Sequence, residues 1–113
     1  MIKSNDLKIG NFIQSYHGNV MVKQISENSF ITTPNLIGAT HGGIYSHIDL
    51  TKDFLIKNGY EYNGSYFSNE EYGIDMRGMK FLIKGKYLCS CKYVNTLQNI
   101  IYLLTSVEMK VVW

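Results

Sequence analysis

The Asn63-Gly64 pair constrains how this chain can fold more than any other feature. Asn-Gly between extended residues marks a hairpin, because a type I′ two-residue turn needs positive φ at both central positions, which asparagine and glycine tolerate. Comparable turn signals recur at Arg77-Gly78 and Gly85-Lys86 downstream, and at His17-Gly18-Asn19 and residues 26–28 upstream. Strands joined this closely must be antiparallel, since a parallel pair needs a crossover of a dozen or more residues. The spacing therefore predicts a first meander from strands at 12–16, 20–25 and 29–33. A second follows from strands at 60–62, 65–68, 72–76, 79–84 and 87–91. Residues 34–46 hold the single proline and Gly38, Gly42 and Gly43 without any period, and read as a long loop.

Two helices complete the pattern. Thr51 is a good N-cap for a helix over 52–58, with Phe54 and Leu55 turned inward and Gly59 as the stop. In 95–105, Leu97, Ile100, Ile101 and Leu104 recur at three- and four-residue spacing, which places them on one face. Thr96, Gln98, Asn99 and Thr105 fall elsewhere, and Asn95 with Gln98 resembles a capping box. Residues 107–113 alternate Val107, Met109, Val111 and Trp113 as a last strand would. The expected fold is α+β: an N-terminal three-stranded barrel-like sheet, a second meander, and two helices, the C-terminal one packed on the sheet. At 113 residues, one domain spanning 1–113 is expected.

Composition narrows the class of function. Hydrophobic residues make up 45% and the formal charge is +2, values of a folded chain without the strong basicity that nucleic-acid binding favours. No apolar run approaches the roughly 18 residues of a membrane span, and the first residues lack the apolar core of a signal peptide. A cytoplasmic protein is expected. Cys89 and Cys91 lie two apart on a predicted strand, where a strain-free disulfide does not form, and read as reduced thiols.

Three stretches carry a family resemblance. They are Leu7-Lys8-Ile9-Gly10-Asn11-Phe12-Ile13; residues 48–61, with Leu50-Thr51-Lys52-Asp53 and Lys57-Asn58-Gly59-Tyr60-Glu61; and residues 92–105, with Lys92-Tyr93-Val94 and Leu97-Gln98-Asn99. In this order they resemble a family of small, mostly uncharacterised proteins of phages and prophages of Bacteroidetes-type bacteria. That family's pattern runs L-R-I-G-N-W-V, then P-I-x-L-T-E-E-x-L-x-K-x-G-F-E, then K-Y-V-H-Q-L-Q-N-L-Y-F-A-L-T-G. The chain departs from it at Phe12 for Trp, Asn95 for His and Ser106 for Gly. The resemblance implies a phage accessory protein, a class in which some members trap nucleotide-derived immune signals without cleaving them.

The residues suited to that task can be named. Arg77, the only arginine, sits in a turn where its guanidinium could grip phosphate by two hydrogen bonds. Its structural alternative is a solvated turn residue. Thr40, His41, Gly42 and Gly43 could present backbone amides to an anion, or form a plain surface loop. Tyr45, Tyr66, Tyr72 and Tyr93 could stack on bases, although tyrosines on sheets more often pair across strands, as Tyr66 would with Tyr60 and Tyr62 across the Asn63-Gly64 turn. Lys80 could attract anions or guard a strand edge.

Enzymatic groups are sparse. His17, His41 and His47 have no carboxylate at metal-site spacing, and two cysteines separated by a single residue are too few and too close for zinc. Glu70 and Glu71 point apart in either regular structure. The expectation is a non-catalytic phage protein without metal or cofactor that sequesters a cyclic nucleotide or ADP-ribose-type signal in a pocket formed by the long loop and the second meander, of one chain or across a homo-oligomer interface. The alternatives are a module that inhibits a host protein and a small nucleic-acid-associated β-barrel, the latter disfavoured by the charge.

Overall fold

The computed structural model describes residues 7–15, 18–25, 29–33, 36–39 and 46–113. In chain order these form β1 (Phe12–Ser15), β2 (Gly18–Ile25), β3 (Ser29–Thr33), β4 (Leu36–Ala39) and α1 (Lys52–Lys57). They continue as β5 (Glu61–Tyr62), β6 (Phe67–Asn69), β7 (Tyr72–Asp75), β8 (Lys80–Ile83), β9 (Lys86–Ser90) and α2 (Val94–Thr105). The class is α+β. Two compact units share the chain: Met1–Asp49 with Tyr93–Glu108, and Leu50–Lys92 with Met109–Trp113.

The first unit contains a four-stranded antiparallel sheet in the order β1-β2-β3-β4. Ile13 pairs with Val20. With Leu7 and Val22 these form a buried cluster against which Ile25 packs. The three strands expected here are joined by a fourth, β4, inside what the sequence presents as a loop; Ile31 pairs with Ile37. A four-residue strand containing Gly38 shows no alternation to detect.

Helix α2 belongs to this unit, packs against β1, and begins differently from expectation. Its N-cap is Tyr93, with no side-chain capping bond, so Asn95 lies inside the first turn. The capping box is replaced by tertiary bonds. Gln98 Oε1 accepts from the Phe12 backbone N–H at 2.9 Å, and Gln98 Nε2 donates to the Gly10 carbonyl at 3.0 Å. The face that turns inward is consequently mixed. Val94, Asn95, Leu97, Gln98 and Ile100 are buried, whereas Leu104, expected inside, is exposed.

The helix ends at Ser106, which adopts φ 59° and donates its N–H to the Tyr102 carbonyl at 2.7 Å. A side chain in the left-handed region costs roughly 1–2 kcal/mol that glycine avoids. Ser106→Gly is therefore expected to raise stability by about 0.5–1 kcal/mol, after glycine's greater entropy loss is set against the relief. Urea denaturation with an unchanged m-value would read this directly.

The second unit is a five-stranded meander in the order β5-β6-β7-β8-β9 with α1. Thr51 Oγ1 accepts from Phe54 N–H at 3.1 Å, and Gly59 stops the helix at φ +91°. Phe54, Leu55, Tyr60, Phe67, Ile74 and Phe81 lead its core. The Asn63-Gly64 hairpin is wider than a two-residue turn, because Tyr62 pairs with Phe67. Asn63 Oδ1 accepts from both Ser65 N–H and Tyr66 N–H, so a side chain organises the turn. The last hairpin turns at Lys84-Gly85, both at positive φ, one residue earlier than expected.

β9 carries a bulge: Phe81 pairs with Cys89 while Leu82 pairs with Tyr87, leaving Leu88 extra. Both cysteines are free thiols. Burial pushes Cys91 up to about 12, with Cys89 adding a smaller push, so Cys91 stays a protonated, inert thiol.

Residues 107–113 do not form the expected strand. The side-chain amide of Asn58 instead does a neighbouring strand's work: Nδ2 donates to the Val112 carbonyl at 2.8 Å and Oδ1 accepts from Val112 N–H at 2.7 Å. The Trp113 ring tilts against Phe54 at 5.4 Å.

Candidate functional site

The second unit contains a concavity of about 420 Å³. Helix α1 contributes Lys52 and Ile56, which share a face because they are four apart. Tyr62 of β5, Tyr66 of the following turn and Phe67 of β6 supply three rings, and the turn after β7 supplies Asp75, Met76 and Arg77. Most of the lining is thus apolar or aromatic, with two cations and one carboxylate.

The local sequence explains each placement. The Tyr62 ring tilts on Phe67 at 5.2 Å, and its hydroxyl donates to the Gly64 carbonyl at 3.1 Å, so it leans over its own turn. The Tyr66 ring lies over Gly73 of β7, where an added Cβ would come within 2.6 Å of it. Asp75 Oδ1 accepts from the Arg77 backbone N–H at 3.0 Å and from Arg77 Nε at 3.4 Å. These fix the base of the arginine and leave its terminal nitrogens without a protein partner among the described residues. The Arg77 side chain is 80% exposed. The backbone hydrogen bond from Arg77, aided by the guanidinium, holds Asp75 below its ordinary 3.8 despite an opposing desolvation effect. Since the folded value is the lower one, this contact contributes above the ordinary value and is lost as pH falls through the depressed one.

Of the residues proposed from sequence, Arg77 and Tyr66 line this cleft. Lys80 does not; its ammonium sits 5.6 Å from the Tyr87 ring centre. Tyr93 lies in the first unit, stacked on His47 at 4.4 Å beside a separate groove. Thr40, His41, Gly42, Gly43 and Tyr45 lie outside the described residues. Sequence reasoning passed over Lys52, Ile56 and Phe67. Their signal was present, since a capped helix with Lys and Ile four apart must display both on one side.

Among the described residues, no three His, Cys, Asp or Glu side chains come together as a metal site would require. No described helix is long and apolar enough to cross a membrane. Fold and cleft together define a small α+β protein with a cationic, aromatic-lined concavity. The chain matches no protein-family model, no curated protein and no solved structure.

Proposed function

We propose that the protein binds a nucleotide-derived signal in the second-unit cleft and holds it unaltered, acting as a phage anti-defence sponge. One observation carries the binding reading: Arg77 and Lys52 line the same concavity as Tyr62, Tyr66 and Phe67. A guanidinium with two unused terminal nitrogens suits a phosphate, and rings suit a base. The volume falls within the roughly 300–1,000 Å³ of small-molecule sites. The phage setting and the immune signal rest on the family resemblance alone.

The test is incubation with cyclic dinucleotides and cyclic ADP-ribose isomers, followed by a thermal shift and heat release of whatever was bound. A sponge raises the melting temperature and returns the ligand intact. Arg77→Ala should weaken that binding about tenfold or more, the worth of a charge-assisted phosphate contact. A chemically altered product would make the protein an enzyme; an unchanged affinity would remove Arg77 from the site. A second reading, inhibition of a host protein, draws on Leu103, 81% exposed, and Val107, 65% exposed. Stoichiometric capture of one host protein, with no ligand bound, would favour it.

A further inference from the structure

A second concavity, of about 400 Å³, lies along α2 within the first unit. Thr96, Asn99, Ile100 and Leu103 line it at helical spacing, and His47 closes one side. Several of its polar groups have their orientation fixed by the rest of the unit.

The first is Asn99. Asn11 Oδ1 accepts from the Lys8 backbone N–H at 2.7 Å, which obliges the Asn11 amide nitrogen to face away and donate to Asn99 Oδ1 at 2.8 Å. The acceptor of Asn99 is thereby occupied. Its two N–H donors have no protein acceptor among the described residues. The second is His47, whose Nδ1 lies 3.1 Å from Asn95 Oδ1. An amide oxygen can only accept, so Nδ1 carries the proton and Nε2 of the neutral ring is left as an acceptor. Stacking on Tyr93, at 13° between planes, holds the ring. Thr96 adds a hydroxyl that bonds to no described residue. The groove therefore offers one oriented donor group and one oriented acceptor beside an aliphatic wall, with no charged side chain lining it.

We propose that this groove is a binding site for the lactam edge of a planar heterocycle, a carbonyl next to a ring N–H, as in uracil or hypoxanthine. The Asn99 amide donates to the carbonyl oxygen, and His47 Nε2 accepts from the ring N–H. Ile100 and Leu103 cover the ring. Adenine and cytosine place a lone pair where the lactam has its N–H, so they set acceptor against acceptor at His47 and are rejected. An uncharged nucleoside is sufficient, which separates this site from the anion-binding cleft of Arg77.

Titration of the full chain with uridine, inosine, cytidine and adenosine, followed by NMR, tests the assignment. Uridine and inosine should perturb His47, Thr96 and Asn99, with affinity about tenfold or more above cytidine and adenosine. Asn99→Asp keeps an oxygen for Asn11 and removes both donors, and should lower uridine affinity about tenfold. His47→Phe keeps a ring on Tyr93, removes Nε2 and should do the same, so the proposal stays testable if one variant fails to fold. Arg77→Ala should leave uridine binding unchanged while weakening phosphate-bearing ligands, so that the two sites succeed or fail separately. Equal affinity for adenosine and uridine, no binding by any of the four, or uridine binding untouched by both groove variants would overturn the proposal.

Discussion

Gln98→Leu is expected to destabilise the protein by about 2–4 kcal/mol, because it strands two backbone groups at once. Gln98 is 1% exposed, so water cannot replace its bonds to Phe12 N–H and the Gly10 carbonyl. Leucine has nearly the same volume, and packing is little changed; the cost is that of an unpaired donor and an unpaired acceptor, each about 1–3 kcal/mol. For a chain of this size the melting temperature should fall by roughly 8 °C or more. Gln98→Glu keeps the acceptor for Phe12 and, while the acid is protonated, an O–H donor for Gly10, so its cost should be small at low pH and grow as ionisation removes that donor. A melting temperature for Gln98→Leu within a degree or two of the parent would show that the amide does not latch α2 to the start of β1.

The second large effect is expected at Gly73. An added Cβ would stand 2.6 and 2.7 Å from two ring carbons of Tyr66 and 3.3 Å from the Phe67 carbonyl. The carbonyl belongs to the neighbouring strand and cannot retreat, so the ring must. Gly73→Ala should cost about 1–3 kcal/mol, as overpacked sites do. It should also weaken ligand binding, because Tyr66 is part of the cleft wall. Gly78→Ala is the matched control. The atoms nearest its Cβ are methylenes of Lys80, from 2.9 Å outward, and that flexible chain can swing aside at little cost. In the double variant Gly73→Ala with Tyr66→Ala, most of the strain should disappear. A cycle that shows no coupling between the two positions would place the Tyr66 ring elsewhere.

How much of this was legible in the sequence depended on whether the signal was local. Thr51, Gly59 and the close-set turns of the second meander act over two to four residues, and the strands they predict lie within a residue or two of those observed. The errors arose where a side chain reached across the fold. Asn95 and Gln98 have the identities and spacing of a capping box, yet both amides bond to distant segments, at His47 and at Gly10 and Phe12. Periodicity could not show that one helical face would be half polar. The alternation of Val107, Met109 and Val111 is that of a strand, but Asn58 offers the chain end an amide edge of its own. The candidate site divides in the same manner. Arg77 was visible as a lone guanidinium in a turn, whereas Lys52, Ile56 and Phe67 acquire meaning only when α1 and the β5–β6 turn line one concavity.

The proposed function requires that Arg77 and the aromatic rings beside it hold a phosphorylated ligand. Its most direct test is an amide-resonance titration of isotope-labelled protein with a cyclic dinucleotide and with a cyclic ADP-ribose isomer, for the parent and for Arg77→Ala. At least one ligand should perturb residues 52–56, 62–67 and 75–77 in the parent, and lose that effect in the variant. Saturable binding that leaves those three segments unmoved, or that persists undiminished without the guanidinium, would show that this cleft is not the phosphate site.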